Sequence, residues 1–198
     1  MASILAVPYD EFTLSWFDSF HQRITGAFPT PKANIEHICQ KLGIQVTDAQ
    51  IKLAGRVRLD YTVRSFKPRP GSVEVLAQLK SEGYKTGLIS DCSSEIPKIW
   101  ANTPLAPLFD VAVFSCLAGI KKPNPRIYQK ATEQLGVEPQ TCLYVGDGSS
   151  QELTGASQVG MHPVLIRVPD ESVDAHFIDR EEWDGTVISS LQEILTLL

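Results

Sequence analysis

A run of strand-forming residues, Leu143-Tyr144-Val145, stops at Gly146-Asp147-Gly148, and a helix-compatible segment with a second carboxylate, Glu152, follows directly. Strand, tight turn and helix form the repeating unit of parallel α/β sheets. The turn falls at the carboxyl edge of the sheet, where ligands bind. Two carboxylates beside a glycine turn, which lets backbone approach a ligand closely, suit a hard oxygen-seeking cation such as Mg²⁺. The same residues also serve as a plain strand-to-helix turn in which Asp or Ser caps the next helix.

The rest of the chain places this unit in a larger pattern. Lys67-Pro68-Arg69-Pro70-Gly71 marks a division. Upstream, Phe12, Trp16, Phe17 and Phe20 recur at spacings of three and four, the mark of an apolar helix face. Ile35, Ile38, Cys39 and Leu42 mark a second helix that stops at Gly43, and Thr47-Asp48-Ala49-Gln50 has the form of a capping box opening a third. Downstream, strand and helix alternate. Lys85–Ser90, Val111–Phe114, Thr141–Val145 and Val164–Ile166 read as strands, and Pro125–Gly136 reads as a helix. Ile188, Leu191, Ile194 and Leu195 predict a terminal helix. The expectation is a helical domain over residues 1–66 and, over 67–198, a Rossmann-like parallel sheet with helices on both faces.

Bulk properties narrow the classes of function. A length of 198 residues suits one medium domain or one domain with a small insert. A net charge of −5 argues against a nucleic-acid-binding surface. No apolar run is long enough to cross a bilayer, and the N-terminus lacks the pattern of a signal peptide. Cys39, Cys92, Cys116 and Cys142 are widely spread with no Cys-x-x-Cys pair, so they read as reduced thiols and the expected compartment is the cytoplasm. His21, His37, His162 and His176 share no metal-ligand spacing. The acidic segment 170–184 reads as a solvated loop.

Three strand ends line up by chemistry. Ser90 closes the first downstream strand, and the hydroxyl with backbone amides behind it, from Asp91 onward, suits a phosphate oxygen; a helix cap is the plainer reading. Lys122 lies in Lys121-Lys122-Pro123-Asn124-Pro125, where the prolines stiffen the backbone and aim the ammonium group. Solvated surface charge is the plainer reading of that lysine pair. Asp147 and Glu152 complete the set.

In combination these residues resemble the haloacid dehalogenase superfamily of hydrolases, in its phosphatase-rich branch. Leu88-Ile89-Ser90 looks like the family's second motif, whose hydroxyl binds the transferring phosphoryl group. Lys122-Pro123-Asn124-Pro125-Arg126-Ile127-Tyr128 looks like the third, whose lysine neutralises nucleophile and phosphate. Val145-Gly146-Asp147-Gly148 with Glu152 looks like the fourth, which holds Mg²⁺. The helical domain looks like the family's cap. The resemblance implies Mg²⁺-dependent hydrolysis of a small phosphorylated metabolite through an aspartyl-phosphate, by a monomer or homodimer.

The family's first motif, a central strand ending in Asp-x-Asp-Gly-Thr, has no clear counterpart. Ile4-Leu5-Ala6-Val7-Pro8-Tyr9-Asp10 offers Asp10 as a nucleophile, but Pro8 sits where a central strand donates a ladder hydrogen bond. The same residues read as cap helices broken at Pro8. Either Ser3–Val7 fills the centre of the sheet, or the sheet closes up, or the chain folds poorly alone. The alternatives to a phosphatase are a scaffold that binds without turnover and a metal-independent haloacid dehalogenase. The acidic pair counts against the dehalogenase.

Overall fold

The computed structural model describes residues 1–168 and 180–198, so His176 and most of the acidic segment 170–184 lie outside the described residues. In chain order the helices and strands are α1 (Ala2–Leu5), α2 (Tyr9–Asp18), α3 (Phe20–Ile24), α4 (Pro31–Lys41), α5 (Asp48–Ser65), α6 (Ser72–Ser81), β1 (Gly87–Ser90), α7 (Glu95–Trp100), β2 (Val111–Phe114), α8 (Ser115–Ala118), α9 (Pro125–Leu135), β3 (Leu143–Gly146), α10 (Glu152–Gln158), β4 (His162–Ile166) and β5 (Val187–Ile188). They form two compact units. One gathers Met1–Lys67, Asp91–Thr103 and Phe114–Gly119; the other gathers Pro68–Ser90, Pro104–Val113 and Ile120–Leu198.

The first unit is helical, and its helix starts follow from local chemistry. The Thr30 hydroxyl accepts from the Ala33 amide at 3.1 Å with Pro31 behind it, opening α4. At α5 the Thr47 hydroxyl accepts from the Gln50 amide at 3.3 Å while the Gln50 side chain takes the Thr47 amide at 2.9 Å, the reciprocal capping box. Phe12 on α2 is buried and its ring stacks on Trp16 at 6.0 Å. The aromatic face does not continue as one helix, because the chain breaks at Ser19 and leaves Phe20 38% exposed.

Leu5 and Val7 settle the question left at the N-terminus. Both are buried with Ile35, Ile38 and Ile51 in one apolar cluster. The chain there runs through α1, a left-handed Ala6 at φ 54° and Pro8 as the residue before α2. Packing of these side chains among helices leaves Ser3–Val7 no strand role.

The second unit is α/β with parallel strands. β3 pairs with β4 with Val145 opposite Val164, and β4 pairs with β5 with Leu165 opposite Val187. β1 pairs with β2 in a separate sheet. The single continuous sheet expected from the sequence is therefore two short ones, and β1 and β3 each keep an edge without a ladder partner among the described residues. A buried unsatisfied amide or carbonyl costs about 1–3 kcal/mol. The residues of β3 are all half-buried and those of β1 half-buried or exposed, so neither strand is sealed in the interior.

The predicted terminal helix is also revised. Val187–Ile188 is a strand, and Leu191–Thr196 is a 3₁₀ turn that buries Ile194 against Val164, Ile166 and Ile188. β-Branched residues meeting a free strand edge pair with it rather than start a helix. Among the described residues no helix is long and apolar enough to cross a membrane.

Candidate functional site

The turn after β3 is wound unusually tightly. Gly148 at φ 82°, Ser150 at φ 56° and Gln151 at φ 52° are all left-handed. A non-glycine residue there costs on the order of 1–3 kcal/mol and persists where surrounding contacts hold it. Here those contacts fold Glu152 back over the strand end. Its Oε1 accepts from the Gly148 amide at 3.1 Å, and a Cβ on Gly146 would lie 2.3 Å from that same oxygen. Glycine at 146 therefore leaves the room that the Glu152 carboxylate occupies. Asp147 Oδ1 accepts from the Ser149 amide at 2.9 Å, so the turn-capping reading of this aspartate holds for one of its oxygens.

Lys122 meets Glu152 from the other side. Its Nζ donates to Glu152 Oε2 at 2.5 Å, and the Tyr144 hydroxyl donates to the same oxygen at 2.8 Å. Both partners of this ion pair are buried, which removes the surface-charge reading of Lys122. The Tyr128 hydroxyl donates to the Glu152 carbonyl at 2.9 Å, and its ring meets Tyr144 edge to face at 5.5 Å. Asn124 caps α9 by accepting from the Arg126 amide at 3.0 Å, with Pro125 in the first turn, so α9 begins just after Lys122 and delivers Tyr128.

Electrostatics separate the two carboxylates. Burial pushes Glu152 above its ordinary value; Lys122 and the Tyr144 hydroxyl pull it back, and Asp147 pushes it up again. Burial would raise Asp147 too, but the Ser149 hydrogen bonds, the Glu152 side chain and the Lys122 charge outweigh it and hold Asp147 below the usual carboxylate range. Asp147 is thus the more readily ionised of the two.

That contrast bears on metal binding. Mg²⁺ is usually held by one or two carboxylates together with waters and substrate phosphate oxygens. Asp147 fits such a role. Glu152 fits it less well, because its oxygens already accept from Lys122, Tyr144 and Gly148. Among the described residues no three His, Cys, Asp or Glu side chains gather as a full metal cage.

The remaining candidates are placed as follows. Ser90 ends β1 in the same unit as Lys122, Asp147 and Glu152, half-buried. Asp91 and Asp10 belong to the other unit, and Asp10 stands exposed in the first turn of α2 rather than at a strand end. Sequence reasoning missed three participants. Tyr144 shares a strand face with Gly146 by the two-residue alternation, a signal that was available. Tyr128 sits inside the lysine motif but carried no evident role. Glu181, read with the solvated loop, instead accepts from the Leu153 amide at 2.7 Å and the Thr154 amide at 3.0 Å, capping α10 from across the chain.

A family profile described as haloacid dehalogenase-like hydrolase matches residues 14–160. The glyceraldehyde 3-phosphate phosphatase of Pyrococcus furiosus is 32% identical over 133 residues, covering 65% of this chain and 53% of that protein. The chain spans about half the length of the curated relatives it matches. Among solved structures, the 2-haloacid dehalogenase of Pseudomonas syringae pv. Tomato superposes with a TM-score of 0.71 at 21% identity, covering 99% of this chain and 83% of that one. A Bacteroides thetaiotaomicron enzyme of the family, in complex with magnesium and inorganic phosphate, superposes with a TM-score of 0.57 at 22% identity over 78% of this chain and 77% of that one. At these identities the structural likeness speaks for the fold alone.

Proposed function

The chain belongs to the haloacid dehalogenase-like hydrolases, and from that premise we propose that it carries the phosphate- and metal-binding part of a phosphomonoesterase site for a small phosphorylated metabolite. The observation that carries the reading is the buried Lys122–Glu152 pair beside Asp147, whose carboxyl is held below the usual carboxylate range, at the end of β3. Lys122 supplies a fixed positive charge for phosphate oxygens, the Ser90 hydroxyl supplies a donor, and Asp147 supplies a carboxylate for Mg²⁺. When bound there, Mg²⁺ offsets negative charge on the phosphoryl group. Glu152 acts on Lys122, fixing where its ammonium group points. The phosphatase names of relatives such as the Pyrococcus furiosus protein support this substrate class over haloacids.

A second reading, phosphate binding without turnover, is favoured by one observation. Of the carboxylates beside the β3 turn, Glu152 is taken up by Lys122 and Glu181 by the amides of α10, and Asp10 sits on a helix. p-Nitrophenyl phosphate with and without Mg²⁺ separates the two. Nitrophenol release that stops with EDTA and in Asp147→Asn supports the hydrolase, and its loss in Asp10→Asn assigns the nucleophile. Phosphate binding with no release in either condition supports the second reading. Release unaffected by EDTA overturns the metal role.

A further inference from the structure

Within the helical unit, the segments that follow β1 and β2 in the chain carry one cysteine each, Cys92 and Cys116. They are held against each other by Ser115. The Cys92 amide donates to the Ser115 hydroxyl at 2.9 Å, and that hydroxyl lies 3.4 Å from the Cys92 carbonyl. Ser115 is wholly buried, so this crossing is fixed in the interior. The two thiols are themselves hydrogen-bonding neighbours, and both are reduced. Cys116 also lines a cavity of about 300 Å³ with Phe28, Ser94, Pro97, Lys98 and Leu117. Cys116 is thus the member of the pair that borders a cavity.

We propose that Cys92 and Cys116 form a disulfide on exposure to a peroxide, making this pair a modification site of the helical unit. The Cys116 sulfur attacks one peroxide oxygen and the O–O bond breaks, giving a sulfenic acid and one water. The Cys92 sulfur then attacks the Cys116 sulfur and expels a second water, its proton leaving with it, and the S–S bond forms. Two thiols are oxidised and one peroxide is reduced to two waters. Burial pushes the Cys116 thiol up, so in the first step its proton passes to the departing hydroxide, which leaves as the first water. The bond would tie together the segments just beyond Ser90 and Phe114, independently of whether the phosphate site turns over substrate.

The test needs no activity. The intact 198-residue protein is treated with excess hydrogen peroxide under native conditions, remaining thiols are alkylated, and tryptic peptides are weighed. Cleavage at Lys85, Lys98 and Lys121 puts Cys92 in the peptide 86–98 and Cys116 in the peptide 99–121. The expected product is these two peptides joined, two hydrogens lighter than their sum, reversed by dithiothreitol and absent in Cys92→Ser. Full alkylation of both cysteines after peroxide overturns the proposal. So does pairing of either with Cys39 or Cys142, or equal formation of the same bond in urea-unfolded protein.

Discussion

Lys122 Nζ and Glu152 Oε2 lie 2.5 Å apart with both side chains almost wholly removed from water. The pair joins the loop before α9 to the first residue of α10, two segments thirty positions apart in the chain. Burial has already raised Glu152, so removing its counter-charge leaves a carboxylate that is costly to ionise. Lys122→Met is expected to destabilise the protein at pH 7 by about 3–5 kcal/mol in urea titrations. The sign follows from the raised pKa. A carboxylate raised in the fold contributes stability below its ordinary value of 4.5 and loses it as pH rises through the folded value. The deficit of Lys122→Met should therefore shrink on acidification, and Glu152→Gln should cost less than Lys122→Met at neutral pH. Equal losses at all pH values would contradict this.

Tyr144 donates to the same oxygen as Lys122 while its ring packs on Tyr128. Tyr144→Phe keeps the ring and removes the hydroxyl. A hydrogen bond to a charged group contributes about 1.5–3 kcal/mol, and the urea midpoint should fall accordingly. An unchanged midpoint would mean that the hydroxyl is satisfied elsewhere.

Gly146→Ala places a Cβ 2.3 Å from Glu152 Oε1. Overpacking of this kind costs about 1–3 kcal/mol. Because the clash is with a side chain, Glu152→Ala should relieve most of it, and a double-mutant cycle reads the coupling directly. Additive losses would place the strain in the backbone instead.

In the helical unit, Asp48 sits between Lys32 at 2.8 Å and Lys52 at 2.6 Å, and those two lysines hold its carboxyl down to about 2. A carboxylate lowered in the fold contributes stability above its ordinary value of 3.8 and loses it as pH falls through about 2. Asp48→Asn should lower the melting temperature slightly at pH 7. The difference should vanish at the acid end and shrink in high salt, since all three side chains are exposed.

What the sequence made legible is what local chemistry decides. Thr47 and Gln50 cap α5 through contacts three residues apart, and Asn124 with Pro125 opens α9 the same way. Gly136 ends α9 in the left-handed conformation that its lack of a side chain permits. The misreadings arise where a partner lies far off in the chain. Ile188 through Leu195 carries a helical spacing, yet the open edge of β4 draws Val187 and Ile188 into a strand. Glu181 belongs to an acidic stretch, yet the free amides of α10 turn its carboxylate inward. The site shows the same division. Asp147 and Lys122 stand out by their flanking glycines and prolines. That Glu152 turns back to hold the lysine depends on left-handed Ser150 and Gln151, which no local preference of serine or glutamine announces.

Calorimetric titration of the intact protein with inorganic phosphate, with and without Mg²⁺, tests the central claim most directly. The account predicts phosphate binding that Mg²⁺ strengthens at least tenfold, about 1.4 kcal/mol. It predicts that Asp147→Asn, which can still accept from the Ser149 amide and so keep the turn, abolishes the Mg²⁺ effect while urea stability stays near wild type. Phosphate affinity that is the same in EDTA, or a full Mg²⁺ effect in Asp147→Asn, would contradict it.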